Sequence, residues 1–127
     1  MKKIGSLFII SIVFSVTPAV ASNWVEVTRT NDDIVLIDTG SIRKLGDSRK
    51  VWVHFENKVA DDEGTKTIKQ LQTIQCIERR RRIEYFIRNR ADGTVVSQMA
   101  DSMVFDFDDI IPDTIGESIM NFVCSPA

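Results

Sequence analysis

Four consecutive arginines form the densest group of chemically functional side chains in this 127-residue chain. Guanidinium groups bind carboxylates and sulfates through paired hydrogen bonds, so these residues are candidates for binding an acidic protein or an acidic glycan. They could instead lie on a solvated strand and pair with aspartate and glutamate on neighbouring strands. Alternate residues of a strand point to opposite faces, so roughly two of the four should project from each face. The candidate ligand-binding residues are Arg79, Arg80, Arg81 and Arg82.

Two other groups of residues could bind a metal or act as a base. Five aspartates lie between residues 101 and 113, but they lack the glycine-centred spacing of a calcium loop, so no metal site is predicted. His54 is the only histidine and could ligate haem or act as a base. No serine or aspartate is marked as its partner, as nucleophilic catalysis would require. We therefore predict a protein that is not an enzyme and has no cofactor.

Cys76 and Cys124 are the only cysteines. In an exported protein they most simply form one disulfide, because the periplasm and the cell exterior are oxidising. Two free thiols or a metal-binding pair are the alternatives, although CxxC spacing is missing and a single histidine makes a zinc site a poor match. Closing the loop between Cys76 and Cys124 with a disulfide would stabilise the fold by roughly 4 kcal/mol in the chain-entropy model.

Residues 1–21 have the pattern of a cleaved secretory signal peptide. Two lysines precede an apolar run over residues 4–16, and Ala19-Val20-Ala21 places small residues where a signal peptidase reads them. The alternative is a transmembrane anchor, but this run is shorter than the roughly 20 apolar residues that a span needs. The mature chain is therefore expected to have no stable membrane span.

Cleavage would leave residues 22–127 as a single domain of ordinary size. Loss of the two N-terminal lysines would change the formal net charge from −2 to −4. A mildly acidic domain is not expected to bind nucleic acid. Ser22, rather than cysteine, would follow the cleavage site, so a lipid anchor is not expected. We predict an exported protein located in the periplasm or at the cell surface.

Alternating apolar and polar residues predict the strands that position these groups. The clearest segment places Val51, Val53 and Phe55 on one side and Trp52, His54 and Glu56 on the other. Only short turns separate the segments, which favours antiparallel pairing because parallel strands need long crossovers. Strands are predicted at residues 24–28, 34–37, 49–57, 65–77, 82–89 and 95–99.

The alternation changes phase around the arginines. Upstream, Ile74 and Cys76 occupy even positions, whereas Ile83, Tyr85 and Ile87 occupy odd positions. A straight strand keeps one parity on one face, so we predict a bulge or turn within residues 78–81. The three odd-numbered residues are expected to share one face.

One helix is predicted at the carboxyl end. Thr114 and Glu117 have the spacing of a capping box. Apolar residues recur at helical spacing on one side, namely Ile115, Ile119, Phe122 and Val123. The predicted fold class is α+β, with a single antiparallel sheet of about six strands and a C-terminal helix packed on one face. A Cys76–Cys124 disulfide would tether the helix to the strand at residues 65–77.

A series of short motifs spans nearly the whole mature chain in a fixed order. They are Asn23-Trp24-Val25, Ile37-Asp38, Ser41-Ile42, Val51-Trp52-Val53, Cys76, Glu78-Arg79-Arg80, Gly93-Thr94-Val95-Val96, Ile111-Pro112-Asp113, Gly116 and Val123-Cys124. In order and spacing the chain resembles the surface-adhesin protein E family of exported bacterial proteins. The resemblance implies an antiparallel sheet with a disulfide-tethered helix, and binding to host extracellular-matrix or serum proteins. The best-known member is lipid-anchored, whereas this chain lacks the lipid-accepting cysteine.

The chain is therefore expected to be a non-enzymatic exported binding protein, with two alternative roles. The first is an adhesin-like protein that uses the arginine strand to bind a host matrix or serum protein. The second is a periplasmic accessory or inhibitor protein that binds another bacterial or lytic enzyme.

Overall fold

A computed structural model describes Gly5, residues 10–12 and residues 22–126. The predicted signal peptide and its cleavage site lie mostly outside these residues, so the domain boundary before Ser22 stays a prediction. None of the helices in the described ranges is long and apolar enough to cross a bilayer.

The described residues form eight strands, a three-residue 3₁₀ turn and one α-helix. The strands are β1 (Trp24–Arg29), β2 (Asp33–Asp38), β3 (Arg43–Leu45), β4 (Ser48–Asn57), β5 (Thr67–Gln75), β6 (Arg80–Asn89), β7 (Val95–Gln98) and β8 (Asp108–Asp109). The 3₁₀ turn is Thr39–Ser41, and the helix α1 is Ile115–Val123.

All strand pairs are antiparallel and belong to one sheet, in the order β1-β2-β4-β5-β6-β7. Two short strands lie off this path, where β3 pairs with one end of β4 and β8 with the start of β6. The predicted α+β class and single antiparallel sheet are confirmed, and the sheet has eight strands where about six were predicted. Strands of two or three residues are too short to show an alternation in the sequence.

The inner face of the sheet carries the core. In β4, Val51 and Val53 are fully buried while Trp52 and His54 are half-buried on the other face, as their alternation predicted. Neighbouring strands contribute further buried residues to the inner face, and α1 covers them. The core residues are Val35, Ile37, Val51, Val53, Ile74, Ile110, Ile119, Met120 and Val123.

Helix α1 begins at the predicted N-cap, Thr114, but Glu117 bonds to the amide of the preceding residue rather than to the N-cap amide of a capping box. The Thr114 side chain accepts a hydrogen bond from the Glu117 amide, and the Glu117 carboxylate accepts one from the Asp113 amide, each at 3.4 Å. These contacts satisfy amide groups that have no partner within the helix. The sequence of this turn therefore fixes where the helix starts.

The buried side of α1 is rotated from the predicted one. Ile119 and Val123 are buried as expected, but Phe122 is 39% exposed and Met120 is buried instead. The helix approaches the sheet through Gly116, whose position leaves room for the Arg81 side chain. Gly116, Ile119, Met120 and Val123 form the buried side of α1, so the predicted place of Phe122 on that side was wrong.

A disulfide joins Cys76 to Cys124, with 5.8 Å between their Cα atoms. Cys76 begins the turn at residues 76–79 that connects β5 to β6, and Cys124 is the C-cap of α1. This turn overlaps only in part with residues 78–81, where a bulge or turn was predicted. The predicted tether between the helix end and this strand is confirmed.

The β5–β6 pair contains a bulge that the sequence placed elsewhere. Leu71 pairs with Tyr85, whereas the next residue, Gln72, pairs with Ile83. Consecutive residues of β5 face opposite sides, so Ile83 and Tyr85 also face opposite sides, and the prediction that they share a face was wrong. The extra residue is Glu84, whose side chain is held by Thr73 and Arg82. Such contacts with a neighbouring strand cannot be recognised from the alternation of apolar and polar residues in the sequence.

Replacement of Cys124 by serine should lower the free energy of unfolding by about 4 kcal/mol, because the denatured chain would lose a long covalent loop. Urea denaturation of residues 22–127, followed by circular dichroism, measures the change. The wild-type protein under reducing conditions should match the variant. An unchanged urea midpoint in both would show that the bond does not stabilise the fold.

Truncation of Ile119 to alanine should cost about 2–5 kcal/mol, because this fully buried side chain would leave a cavity between α1 and the sheet. Phe122→Ala is the matched control on the same helix, and its partly exposed side chain should cost clearly less. The same urea titration compares the two variants. Equal losses would contradict the observed rotation of α1.

Candidate functional site

The first two predicted site arginines connect β6 to the C-terminal segment. Arg79 lies in the turn before β6 with a left-handed φ of 56°, and its guanidinium pairs with Glu117 of α1. Arg80 Nε lies 3.3 Å from Asp109 Oδ1, and its Nη2 donates to the Phe107 carbonyl at 3.0 Å. Both arginines therefore hold the segment that leads into α1 against the sheet.

The other two arginines lie on opposite sides of β6. Arg81 lines a cavity of about 480 Å³ beside α1 together with Phe55 and Ile110, and its guanidinium makes no ion pair within the described part of the chain. Arg82 stacks over Phe107, with its Cζ atom 4.5 Å from the ring centroid. Arg81 and Arg82 therefore project from opposite faces, as alternation predicts, but Arg79 lies in the turn, so the expected division into two arginines on each face is observed only in part.

About half of the Arg79 and Arg80 side-chain surface stays exposed, at 47% and 46%. Their ion-pair partners leave several N–H groups of each guanidinium directed to solvent, since a guanidinium has five donors. Binding of a ligand through these arginines stays a prediction. The pairing with Asp and Glu on neighbouring elements, which the sequence offered as the alternative, is present as well.

Glu84 is a charged group tied into the sheet beside Arg82. Its Oε1 accepts hydrogen bonds from Thr73 Oγ1 at 2.8 Å and from Arg82 Nε at 2.9 Å. Burial opposes ionisation, but these hydrogen bonds and the positive charges of Arg82 and Lys50 outweigh it, so the pKa of Glu84 is lowered. The carboxylate is therefore ionised at neutral pH and compensates Arg82.

His54 lies on the outer face of β4, beside Trp24. The two ring centroids are 5.6 Å apart in an edge-to-face arrangement. Partial burial lowers the pKa of His54, the charge of Lys69 lowers it further, and Glu56 opposes both. The imidazole is therefore neutral at pH 7, where it packs as part of an aromatic surface.

The aspartates near the carboxyl end are dispersed rather than gathered around a common point. Asp109 pairs with Arg80, and Asp113 lies in a left-handed turn before α1. Across the described residues, no group of three or more His, Cys, Asp or Glu side chains has a metal-binding arrangement.

The outer face also contains a groove whose residues were not predicted as a site. Its volume is about 540 Å³, and its lining includes Arg43, Lys50, Trp52 and Leu71. The alternation in β4 had placed Trp52 on this face, but β3, which brings Arg43 beside Lys50, has no recognisable pattern in the sequence. Only the pairing of β3 with β4 reveals the groove.

Comparison with known proteins gives a family match that covers most of the chain. The family model for surface-adhesin protein E matches residues 24–125, which contain every strand and the helix described above. Searches of curated proteins and of solved structures returned no significant match. The chain therefore belongs to the surface-adhesin protein E family.

Proposed function

We propose that this protein is an exported, non-enzymatic adhesin that binds an extracellular-matrix or serum protein of a host. The observation that supports this most directly is the family match over residues 24–125. Membership of the family implies an adhesin-like role at the surface or outside the cell. The family match does not identify the host partner or the contact surface, and we propose both from the structure.

The proposed contact surface is an arginine patch, defined as Ile77, Arg79, Arg80 and Ile111. The two isoleucines are 69% and 66% exposed, which is unusual for side chains of this size. The Ile110 amide, next to Ile111, donates to the Arg79 carbonyl at 2.8 Å, so the two segments that carry these residues lie side by side. Arginine flanked by exposed apolar side chains is typical of protein interfaces.

The backbone of this patch is held in place before any partner binds. The disulfide fixes the turn at its centre, and the Arg79–Glu117 and Arg80–Asp109 pairs orient the guanidinium groups. Exposed ion pairs contribute only about 0–1 kcal/mol, so a partner's carboxylate can replace either acidic residue at little cost. The patch therefore suits an acidic segment that also presents an apolar side chain.

A double substitution, Arg79→Gln with Arg80→Gln, should weaken binding to the matrix or serum protein by about tenfold or more, because two charge-assisted contacts are lost. Surface plasmon resonance with a panel of purified matrix and serum proteins measures the change. The control is Arg29→Gln with Arg90→Gln, which removes the same charge from two exposed arginines elsewhere. It should bind as the wild type does.

Thermal unfolding of both double variants separates a binding effect from a loss of the fold. Binding by the wild type should also weaken as salt is raised, since exposed charges are screened. Equal affinity of the two double variants would contradict the role of the arginine patch. Failure of the wild type to bind any protein of the panel would contradict the proposed adhesin function.

Exposure at the surface of intact cells is the second expectation. The protein on cells should begin at Ser22, and added protease should digest it while a periplasmic marker protein stays intact. Mass spectrometry of the released peptides and of the mature N-terminus measures both. Protection until the outer membrane is permeabilised would contradict surface display and favour the periplasmic accessory or inhibitor function.

A further inference from the structure

A row of basic residues crosses four strands on the outer face of the sheet. Arg43 of β3 pairs in register with Lys50 of β4, Lys50 with Thr73 of β5, and Thr73 with Arg82 of β6. Residues paired in register point to the same face, and adjacent strands are about 4.8 Å apart, so the row extends over about 14 Å. Three of its four members carry a positive charge.

Two of these charges lack an ion-pair partner within the described residues, although the Glu84 carboxylate lies near enough to Lys50 for the two charges to attract each other. Arg43 and Lys50 stand directly opposite each other, an arrangement that destabilises a sheet, and neither makes an ion pair within the described residues. Asp38 also lines the groove, but its Oδ1 already accepts from the Asn23 and Gly40 amides at 2.9 and 3.1 Å. An anion placed between Arg43 and Lys50 would relieve their repulsion.

An aromatic row runs alongside the basic row. Trp52 pairs in register with Leu71, and Leu71 with Tyr85. Trp52 and Tyr85 pack edge to face, with ring centroids 6.2 Å apart, which holds the indole in a fixed orientation at the groove. A rigid aromatic ring offers an apolar surface on which the C–H face of a sugar ring can pack.

The floor of the groove favours a saccharide over a peptide. It is the face of a sheet, so its backbone N–H and C=O groups are occupied in the ladders between β3, β4 and β5. A peptide lying there could not add a strand to the sheet, so it would gain none of the backbone hydrogen bonds through which sheet edges bind peptides. Sugar hydroxyls can stay in contact with water in an open groove. The volume of about 540 Å³ lies within the usual range for small-ligand sites, about 300–1,000 Å³.

We propose that this groove binds an acidic oligosaccharide, with Arg43 and Lys50 holding its sulfate or carboxylate groups and Trp52 packing against a sugar ring. The site lies on the face opposite α1 and shares no residue with the arginine patch. It is therefore a second binding function, which does not depend on the protein-binding role proposed above.

The test uses a heparin-derived hexasaccharide and isothermal titration calorimetry with residues 22–127. Substitution of Arg43→Gln with Lys50→Gln should raise the Kd by about tenfold or more, because both charge-assisted contacts are lost. The matched control is Lys44→Gln with Lys58→Gln. It removes the same charge, and Lys44 lies on the same strand as Arg43 but on the other face, opposite Arg49. The control should raise the Kd by about twofold or less, through weaker long-range attraction alone.

A spectroscopic measurement tests the aromatic contact separately. The chain has two tryptophans, so Trp24→Phe leaves Trp52 as the sole indole. Titration with the hexasaccharide should change the Trp52 emission and saturate at the calorimetric Kd, whereas neutral maltohexaose should leave it unchanged. Equal loss of affinity in the two double variants, an unchanged Trp52 emission, or no binding of the hexasaccharide would each overturn the proposal.

The two proposed sites can fail independently. The Arg79→Gln, Arg80→Gln variant should keep its affinity for the hexasaccharide. The Arg43→Gln, Lys50→Gln variant should keep its affinity for whichever matrix or serum protein of the panel the wild type binds. Loss of hexasaccharide binding in the first of these variants would overturn the proposed groove and assign the saccharide to the arginine patch.

Discussion

The disulfide between Cys76 and Cys124 is the constraint on which the rest of this structure depends. It joins the β5–β6 turn to the end of α1, and the Arg79–Glu117 pair and the Ile110-to-Arg79 hydrogen bond lie at the same junction. The bond that keeps the helix over the core therefore also fixes the backbone from which the arginines project. In a small domain with one helix over one sheet, the contribution of such a bond is a large part of the total stability.

A single helix covers only one face of the sheet, so the two faces of the sheet have different roles. The inner face is closed by α1 and contains the fully buried residues. The outer face keeps Trp24, Trp52 and Tyr85 half-buried, with no described helix packed on it. The arginine patch lies at the start of β6 beside the disulfide, and the groove lies between β3 and β5 on the outer face. A protein built this way can present two separate binding surfaces without any change in its core.

Local sequence patterns predicted what depends on near neighbours along the chain. The alternation in β4, the capping of α1 and the pairing of the two cysteines were all recognisable, and they determine the sheet, the helix and the tether. Features that depend on distant contacts were missed or wrong. Ile83 and Tyr85 face opposite sides because Glu84 forms a bulge opposite β5, and Phe122 is exposed because Gly116 and Met120 lie on the buried side of α1 instead.

The groove was missed for the same reason, since its two cations meet only through a three-residue strand. In the exported protein, the Cys76–Cys124 disulfide should fix α1 and the arginine patch. Protein isolated from cells with its free thiols blocked can be examined by non-reducing peptide mapping with mass spectrometry. We expect one cross-linked peptide pair that contains Cys76 and Cys124. Recovery of both cysteines as blocked free thiols would contradict this expectation.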